Sequence, residues 1–158
     1  MTGAEAAAPT IRPFRPGDVA ACMALFDSNV PAYFAPQERG EFSAFLADVM
    51  AGKSPYRVIC LDGTVVGCGG LVVEPDQRRA SLAWGMVDRS FHRQGLGTVL
   101  TEARVALARS LSGVTELRLA TSQHSAPFYA RFGFACLGVT PDGLAPGLDL
   151  WEMALSLR

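Results

Sequence analysis

Near the middle of the chain two β-branched apolar runs, YRVICL (residues 56–61) and TVVGCGGLVV (residues 64–73), stand on either side of Asp62-Gly63. Asp-Gly between such runs favours a two-residue turn in which both central residues take positive φ, so the stretch predicts an antiparallel hairpin. RRASLAWGMV (residues 78–87), reached through EPDQ, reads as a third strand. Connections this short leave no room for a crossover, so the three strands follow one another antiparallel.

Helical spacing flanks this block on both sides. After a short strand at IRPF the chain turns at Pro16-Gly17, and Asp18 is placed to cap a helix with Val19, Cys22, Leu25 and Phe26 on one face. Phe42, Phe45, Leu46, Val49 and Met50 predict a second helix stopped by Gly52. From Gly97 the period is again helical through Leu100, Ala103, Leu107 and Leu111, with Gly113 beyond as the stop. ELRLATS is then a strand, and SAPFYARFGF a short helix ended by Gly133. FACLGV and LDLWEMALSL make two last strands around the turn TPDGLAPG. The expectation is a short disordered tail over residues 1–9 and one α/β (α+β) domain over residues 10–158. Its sheet is mixed, mostly antiparallel, of about six to seven strands flanked by about four helices.

Composition narrows what such a domain can do. With 158 residues and 49% hydrophobic content the chain can bury a full core without a metal or disulfide. The charge of −1, from 14 Lys plus Arg against 15 Asp plus Glu, carries no basic footprint for nucleic acid. No segment reaches the ~20 apolar residues of a membrane span, and the N-terminus lacks a signal-peptide pattern, so a cytoplasmic protein with a small partner is expected. Cys22, Cys60, Cys68 and Cys136 stand far apart and read as free thiols. His92 and His124 have no second ligand at metal-binding spacing, so no metal site is expected.

One stretch carries chemistry. HRQGLGTVL (residues 92–100) lies between the strand ending near Val87 and the helix beginning near Leu96. The first N–H groups of a helix lack intrahelical partners and the macrodipole adds partial positive charge, so a phosphate is stabilised there. Gly95 and Gly97 lack a Cβ that would keep such a group at a distance, Arg93 adds charge, and Gln94 and Thr98 add donors. The turn is neither G-x-x-x-x-G-K-[ST] nor G-x-G-x-x-G, because Leu100 stands where the last glycine of the latter is needed. By itself it leaves any phospho-ligand open, nucleotides included.

HRQGLG (92–97) and FYARFGF (128–134), about 30 residues apart in this order of strands and helices, resemble the GCN5-related N-acetyltransferase family over roughly residues 10–155. Its motifs are [QR]-x-x-G-x-[GA] and FYxxxGF. The resemblance implies acetyl-CoA as co-substrate, with His92, Arg93, Gln94, Gly95, Leu96, Gly97 and Thr98 around the pyrophosphate. Met86 and Val87 would pair through their backbone with the pantetheine arm, with Ser122 and Phe128 as further cofactor contacts, and the next strand splaying away. Two positions depart from the family pattern: His92 stands for Gln or Arg, and Ser122 for an Asn seven residues before the helix tyrosine.

The implied reaction is direct transfer of acetyl to a primary amine of a small molecule or peptide in a ternary complex. It needs an acid for the leaving thiolate, a role that falls to Tyr129 in the family's tyrosine position, since a phenol stays protonated at neutral pH. Glu74 is the candidate base, with Glu38, Glu41 and His124 as others. In the family the segments matching NVPAYFAPQERG and TPDGLAPG wall the acceptor side, which makes Tyr33 and Phe34 candidate substrate contacts. The alternative is a non-catalytic acetyl-CoA-binding or sensing domain. Exposed strand edges near the C-terminus leave room for a homodimer.

Overall fold

The computed structural model describes residues 8–158, so most of the expected tail lies outside the described residues. Seven strands and four α-helices follow one another along the chain. They are β1 (Thr10–Pro13), α1 (Val19–Ser28), α2 (Arg39–Met50), β2 (Tyr56–Leu61), β3 (Thr64–Glu74), β4 (Arg79–Val87), α3 (Leu96–Ser110), β5 (Glu116–Thr121), α4 (Ala126–Ala130), β6 (Ala135–Ala145) and β7 (Leu148–Ser156). The sheet order is β1-β2-β3-β4-β5-β7-β6. β4 and β5 are parallel, while β1 with β2, β2 with β3, β5 with β7 and β6 with β7 are antiparallel. The residues group into two compact units, one running through Leu71 and again over Ala83–Arg104, the other formed by Val72–Leu82 and Val105–Arg158.

The first unit is built on the central hairpin. Asp62 and Gly63 both take positive φ, 50° and 80°, as the Asp-Gly pair predicts. Their strands pair from Leu61↔Thr64 to Tyr56↔Gly70, with one extra residue on β3 at Val66 that bulges the ladder. Phe26 of α1 and Phe42 of α2 are fully buried and stack at 5.7 Å, and Trp84 tilts against Phe42 at 5.2 Å. Truncating either phenylalanine to alanine removes about 3–5 kcal/mol.

Three expected details differ in this unit. Asp18 does not cap α1: the chain enters through the 3-10 turn Pro16–Asp18, so its carboxylate reaches back to the N–H of Arg15 at 2.8 Å and takes two bonds from the Arg12 guanidinium, at 2.8 and 2.9 Å. Met50, assigned to the apolar face of α2, is exposed, because Gly52 at φ +78° ends the helix there and only Val49 of its last residues reaches the core. The buried stripe of α3 contains a charge, Arg104, only 4% exposed.

In the second unit β5 is held between the start of β4 and the Trp151–Ser156 part of β7. Its parallel ladder with β4 is confined, among the described residues, to Arg79↔Glu116, Ala80↔Leu117 and Ser81↔Arg118, whereas its antiparallel ladder with β7 runs over all six residues. Leu117, Phe134, Met153 and Leu155 are buried, and Gly133 takes φ +98° beside Leu155. TPDGLAPG is not a simple turn. β6 continues to Ala145, its register with β7 slips between Thr140↔Leu150 and Ala145↔Leu148, and only Pro146-Gly147 reverses the chain. Side-chain bonds support this: Gly147 N–H donates to Asp142 Oδ1 at 2.7 Å, Asp142 N–H to Asp149 Oδ1 at 2.9 Å, and Asp149 N–H to Gln123 Oε1 at 2.8 Å. Polar side chains offering this many local bonds let an unusual backbone persist that composition alone reads as loop.

Candidate active site

β4 leaves the sheet at Val87 into Asp88, the 3-10 turn Arg89–Phe91, residues 92–95, and α3. Arg93 takes φ +67° and Gly95 φ +80°. Left-handed residues in a turn bring successive N–H groups into a concavity suited to anions. No atom lies within 4 Å of where a Cβ on Gly95 would sit, so glycine is required there by its backbone angle rather than by crowding. Gly97, grouped with Gly95 in the sequence reading, is instead an ordinary residue of the first turn of α3. The first intrahelical bond runs from Val99 N–H to Gly95 O at 3.2 Å, which leaves the N–H groups of Leu96, Gly97 and Thr98 ahead of it. Arg93, Gln94 and Thr98 are exposed beside them, and Arg93 makes no ion pair among the described residues. A cleft of about 680 Å³ adjoins the turn, lined by Leu61, Val66, Phe91, Gln94 and Leu96.

His92 does not project into this concavity. Its Nε2 lies 2.9 Å from the carbonyl of Val87, and because a carbonyl only accepts, Nε2 carries the proton. The same carbonyl accepts from Asn29 Nδ2 at 2.9 Å, so both of its lone pairs are used. Asn29 also donates to Leu25 O at 2.9 Å, while Arg89 N–H donates to Ser28 Oγ at 3.2 Å. Tyr33 completes the tie, its ring edge-on to His92 at 5.0 Å with the Arg89 guanidinium 5.9 Å away. These contacts fix the loop after α1 to the end of β4. Tyr33 is 63% exposed, whereas Phe34 packs inward, stacked on Phe26 at 4.9 Å.

Asp88 N–H donates to Val66 O of β3 at 2.8 Å. With a period of two, the main-chain groups of Met86 also face β3, and those of Gly85 and Val87 face the opposite edge of β4. One step earlier Trp84 takes φ +45°, a bulge conformation in mid-strand. Its carbonyl accepts from the Tyr56 hydroxyl at 2.6 Å. Burial, and next the adjacent Cys68 thiol, push the Tyr56 phenol upward, so it stays a donor. On the other side of β4, the Arg104 guanidinium lies 2.6 Å from where a Cβ on Gly85 would stand, and its Cδ 3.3 Å from the same point on Gly69. Asn29, Tyr56, Trp84 and Arg104 were not singled out from sequence. A readable signal existed for Arg104 alone, a charge inside the apolar spacing Leu96, Leu100, Ala108.

In the second unit α4 carries Tyr129 and Phe128, both half-buried. The Tyr129 ring meets Phe128 at 5.1 Å and Phe134 at 6.1 Å, and its hydroxyl makes no hydrogen bond among the described residues. Ser122 organises the approach to α4: its Oγ accepts from His124 N–H at 3.2 Å, and its carbonyl from Ser125 and Ala126. Glu74 pairs with Arg79, Nε to Oε1 at 3.1 Å. Both border a cleft of about 290 Å³ that opens at Ser81 and Leu82 of β4 and at Leu119 and Ala120 of β5, where the parallel ladder ends. Glu38 and Glu41 belong instead to the start of α2 in the first unit. Among the described residues no group of His, Cys, Asp and Glu could hold a metal ion, and no helix is long and apolar enough to cross a membrane.

The sequence profile of the Acetyltransferase (GNAT) family matches residues 22–134. The chain belongs to that family. This acetyltransferase also resembles an N-acetyltransferase from Staphylococcus aureus Mu50, at 20% identity and a TM-score of 0.81 over 96% of this chain and 100% of the other. A GNAT-family acetyltransferase from Desulfovibrio desulfuricans superposes with a TM-score of 0.79 at 23% identity, over 96% and 100% of the two chains. An acetyltransferase from Salmonella typhimurium, solved with its cofactor acetyl-CoA, gives a TM-score of 0.79 at 19% identity, over 96% and 95%. No protein of curated function matches the chain by sequence.

Proposed function

We propose that this acetyltransferase transfers the acetyl group of acetyl-CoA to a primary amine of a small molecule or peptide, by direct attack in a ternary complex. The observation that carries the reading is the turn before α3. Two left-handed residues, an exposed arginine and three N–H groups at a helix start form a fit for a pyrophosphate.

Residues 92–98 hold the diphosphate in this reading, with Arg93 supplying charge, Gln94 and Thr98 donors, and Gly95 and Gly97 clearance. His92 serves the turn from behind, by fixing Val87. Main-chain groups on the outer edge of β4 pair with the pantetheine arm. Because the Val87 carbonyl is occupied, that pairing falls on its N–H and on Gly85, with Met86 supporting them from the core. Ser122 keeps its hydroxyl proton as a donor, and Phe128 offers its ring edge.

Bound acetyl-CoA supplies the thioester, whose C–S bond breaks as the amine nitrogen forms the new C–N bond. At neutral pH the acceptor arrives as an ammonium. Glu74 is proposed to receive its proton, through water, before attack, and a second proton leaves the nitrogen as the amide forms. Tyr129 gives its proton to the departing sulfur and regains one from solvent, so the net release is one proton. Phe34 holds the loop that carries the exposed Tyr33 to the core.

We further place residues 10–158 as one catalytic domain. Four free cysteines suit a reducing compartment such as the cytoplasm. Leu137, Val139 and Leu144, exposed on the edge strand β6, suit a homodimer.

Free-thiol release from acetyl-CoA across an amine panel tests the reading, beside thermal shifts with coenzyme A, ATP and NAD. Turnover of some amine, with stabilisation by coenzyme A, is expected. Stabilisation by ATP alone overturns it, and tight coenzyme A binding without any turnover replaces it with a sensing domain.

A further inference from the structure

The cleft at the end of the β4–β5 ladder is lined by charges of both signs. Glu74 and Arg79 neutralise each other at one end. Ser81 lies on its β4 side, and Arg118 and Glu152 on its β5 and β7 side. Glu152 sits opposite Ala120 in the β5–β7 ladder, and its carboxylate has no hydrogen bond or ion pair among the described residues. Arg118 gives its Nε–H to Glu116 at 2.6 Å. The donors on its two terminal nitrogens remain for another acceptor.

We propose that this cleft is the acceptor pocket and that the acceptor is a small zwitterion, an amine that also carries a carboxylate, such as a free α-amino acid or a short peptide. The proposal rests on acetyl transfer to an amine as its base reading and names the class of acceptor. Three features point to it. The free Glu152 carboxylate stands in the same cleft as Arg118, whose terminal nitrogens, like those of Arg79, make no hydrogen bond among the described residues, which matches an ammonium and a carboxylate on one molecule. A volume of about 290 Å³ is at the low end for a ligand site, which excludes large polycyclic amines. The Glu74–Arg79 and Arg118–Glu116 pairs each cancel, which leaves the Glu152 carboxylate as the one unpaired charge among the described residues of the cleft and favours a single ammonium over a polycation.

Glu152 accepts from the substrate ammonium, and the Arg118 guanidinium takes its carboxylate in a forked pair. Leu82 and Leu119 leave an apolar patch between them for the substrate side chain.

The test compares free α-amino acids and dipeptides with their C-terminal amides, each assayed by thiol release on wild type, Arg118→Gln, Arg118→Lys and Glu152→Gln. Free acids are expected to exceed their amides in kcat/KM by on the order of ten-fold to a hundred-fold. Arg118→Gln raises KM for the acids by a similar factor without changing the amides, Arg118→Lys recovers part of it, and Glu152→Gln raises KM for both. The Arg118–Glu116 pair is about one-third exposed, so its loss leaves the fold intact. Equal turnover of acids and amides, or an equal loss for both in Arg118→Gln, overturns the proposal. So does coenzyme A binding without turnover of any free acid. If coenzyme A itself fails to bind, the acetyl-transfer reading falls first. Calorimetric titration with the same free acids then decides the cleft: binding abolished in Arg118→Gln supports it, and no binding overturns it.

Discussion

The Tyr56 hydroxyl donates to the carbonyl of Trp84 at 2.6 Å, so a residue at the start of β2 holds open the bulge in β4. Trp84 at φ +45° is unfavourable for a bulky side chain, costing about 1–3 kcal/mol, and persists because this bond and the ring contacts with Phe42 fix it. Tyr56→Phe keeps the ring and loses the bond. The expected cost is about 1–3 kcal/mol, a fall in Tm of roughly 2–10 °C by calorimetry. Acetyl transfer is expected to drop more than coenzyme A affinity. Unchanged Tm and turnover in this variant would show that the bulge needs no anchor.

Arg93 should be a case where stability and binding move in opposite directions. Its φ of +67° suits glycine better, so Arg93→Gly is expected to leave Tm unchanged or raise it, by up to about 1 kcal/mol. Coenzyme A affinity is expected to fall about ten-fold, with a weaker dependence on salt, because one cation leaves the turn. Titration of coenzyme A at two ionic strengths reads both effects.

Asp18 sets part of the acid stability. The Arg12 guanidinium, and then the Arg15 N–H, hold its carboxyl below the usual carboxylate range, despite the opposing effect of burial. A group whose folded pKa is depressed stabilises the fold above its unfolded pKa of about 4, and this contribution is lost as pH falls through the lower folded value. Asp18→Asn is therefore expected to cost about 1–3 kcal/mol at pH 7 and progressively less as pH falls below about 4, in urea titrations across that range.

The two donors on the Val87 carbonyl are not equivalent. Asn29 is 2% exposed and also serves Leu25 O, while His92 bonds Val87 from a half-buried position. Asn29→Ala is expected to destabilise by about 1–3 kcal/mol, and His92→Ala by about 1 kcal/mol or less. An equal loss of stability in the two variants contradicts this ranking.

Tyr129→Phe removes only a hydroxyl that has no partner among the described residues, so Tm should hold within about 0.5 kcal/mol of wild type. Turnover is expected to fall by roughly 10²–10⁴-fold if the phenol is the acid for the thiolate. An unchanged kcat and pH profile would remove that role.

How much of this was legible in the sequence follows from the range of each interaction. The hairpin at Asp62-Gly63, the stops at Gly52 and Gly133 and the glycine turn before α3 are local, because the turn chemistry of two or three adjacent residues decides them. The order of those elements, with HRQGLG and FYARFGF in place, was enough to identify the family. Asp18 and TPDGLAPG were misread because the side chains that decide them, Arg12 for one and Gln123 and Asp149 for the other, lie outside the motif, up to 24 residues away. Tertiary structure alone decided that Tyr56 reaches Trp84, that His92 and Asn29 meet on one carbonyl, that Arg104 fits over Gly69 and Gly85, and that Arg118 and Glu152 border one cleft. In each of these the partners stand on different elements, and periodicity gives the face a residue occupies but not which residue of another element will meet it.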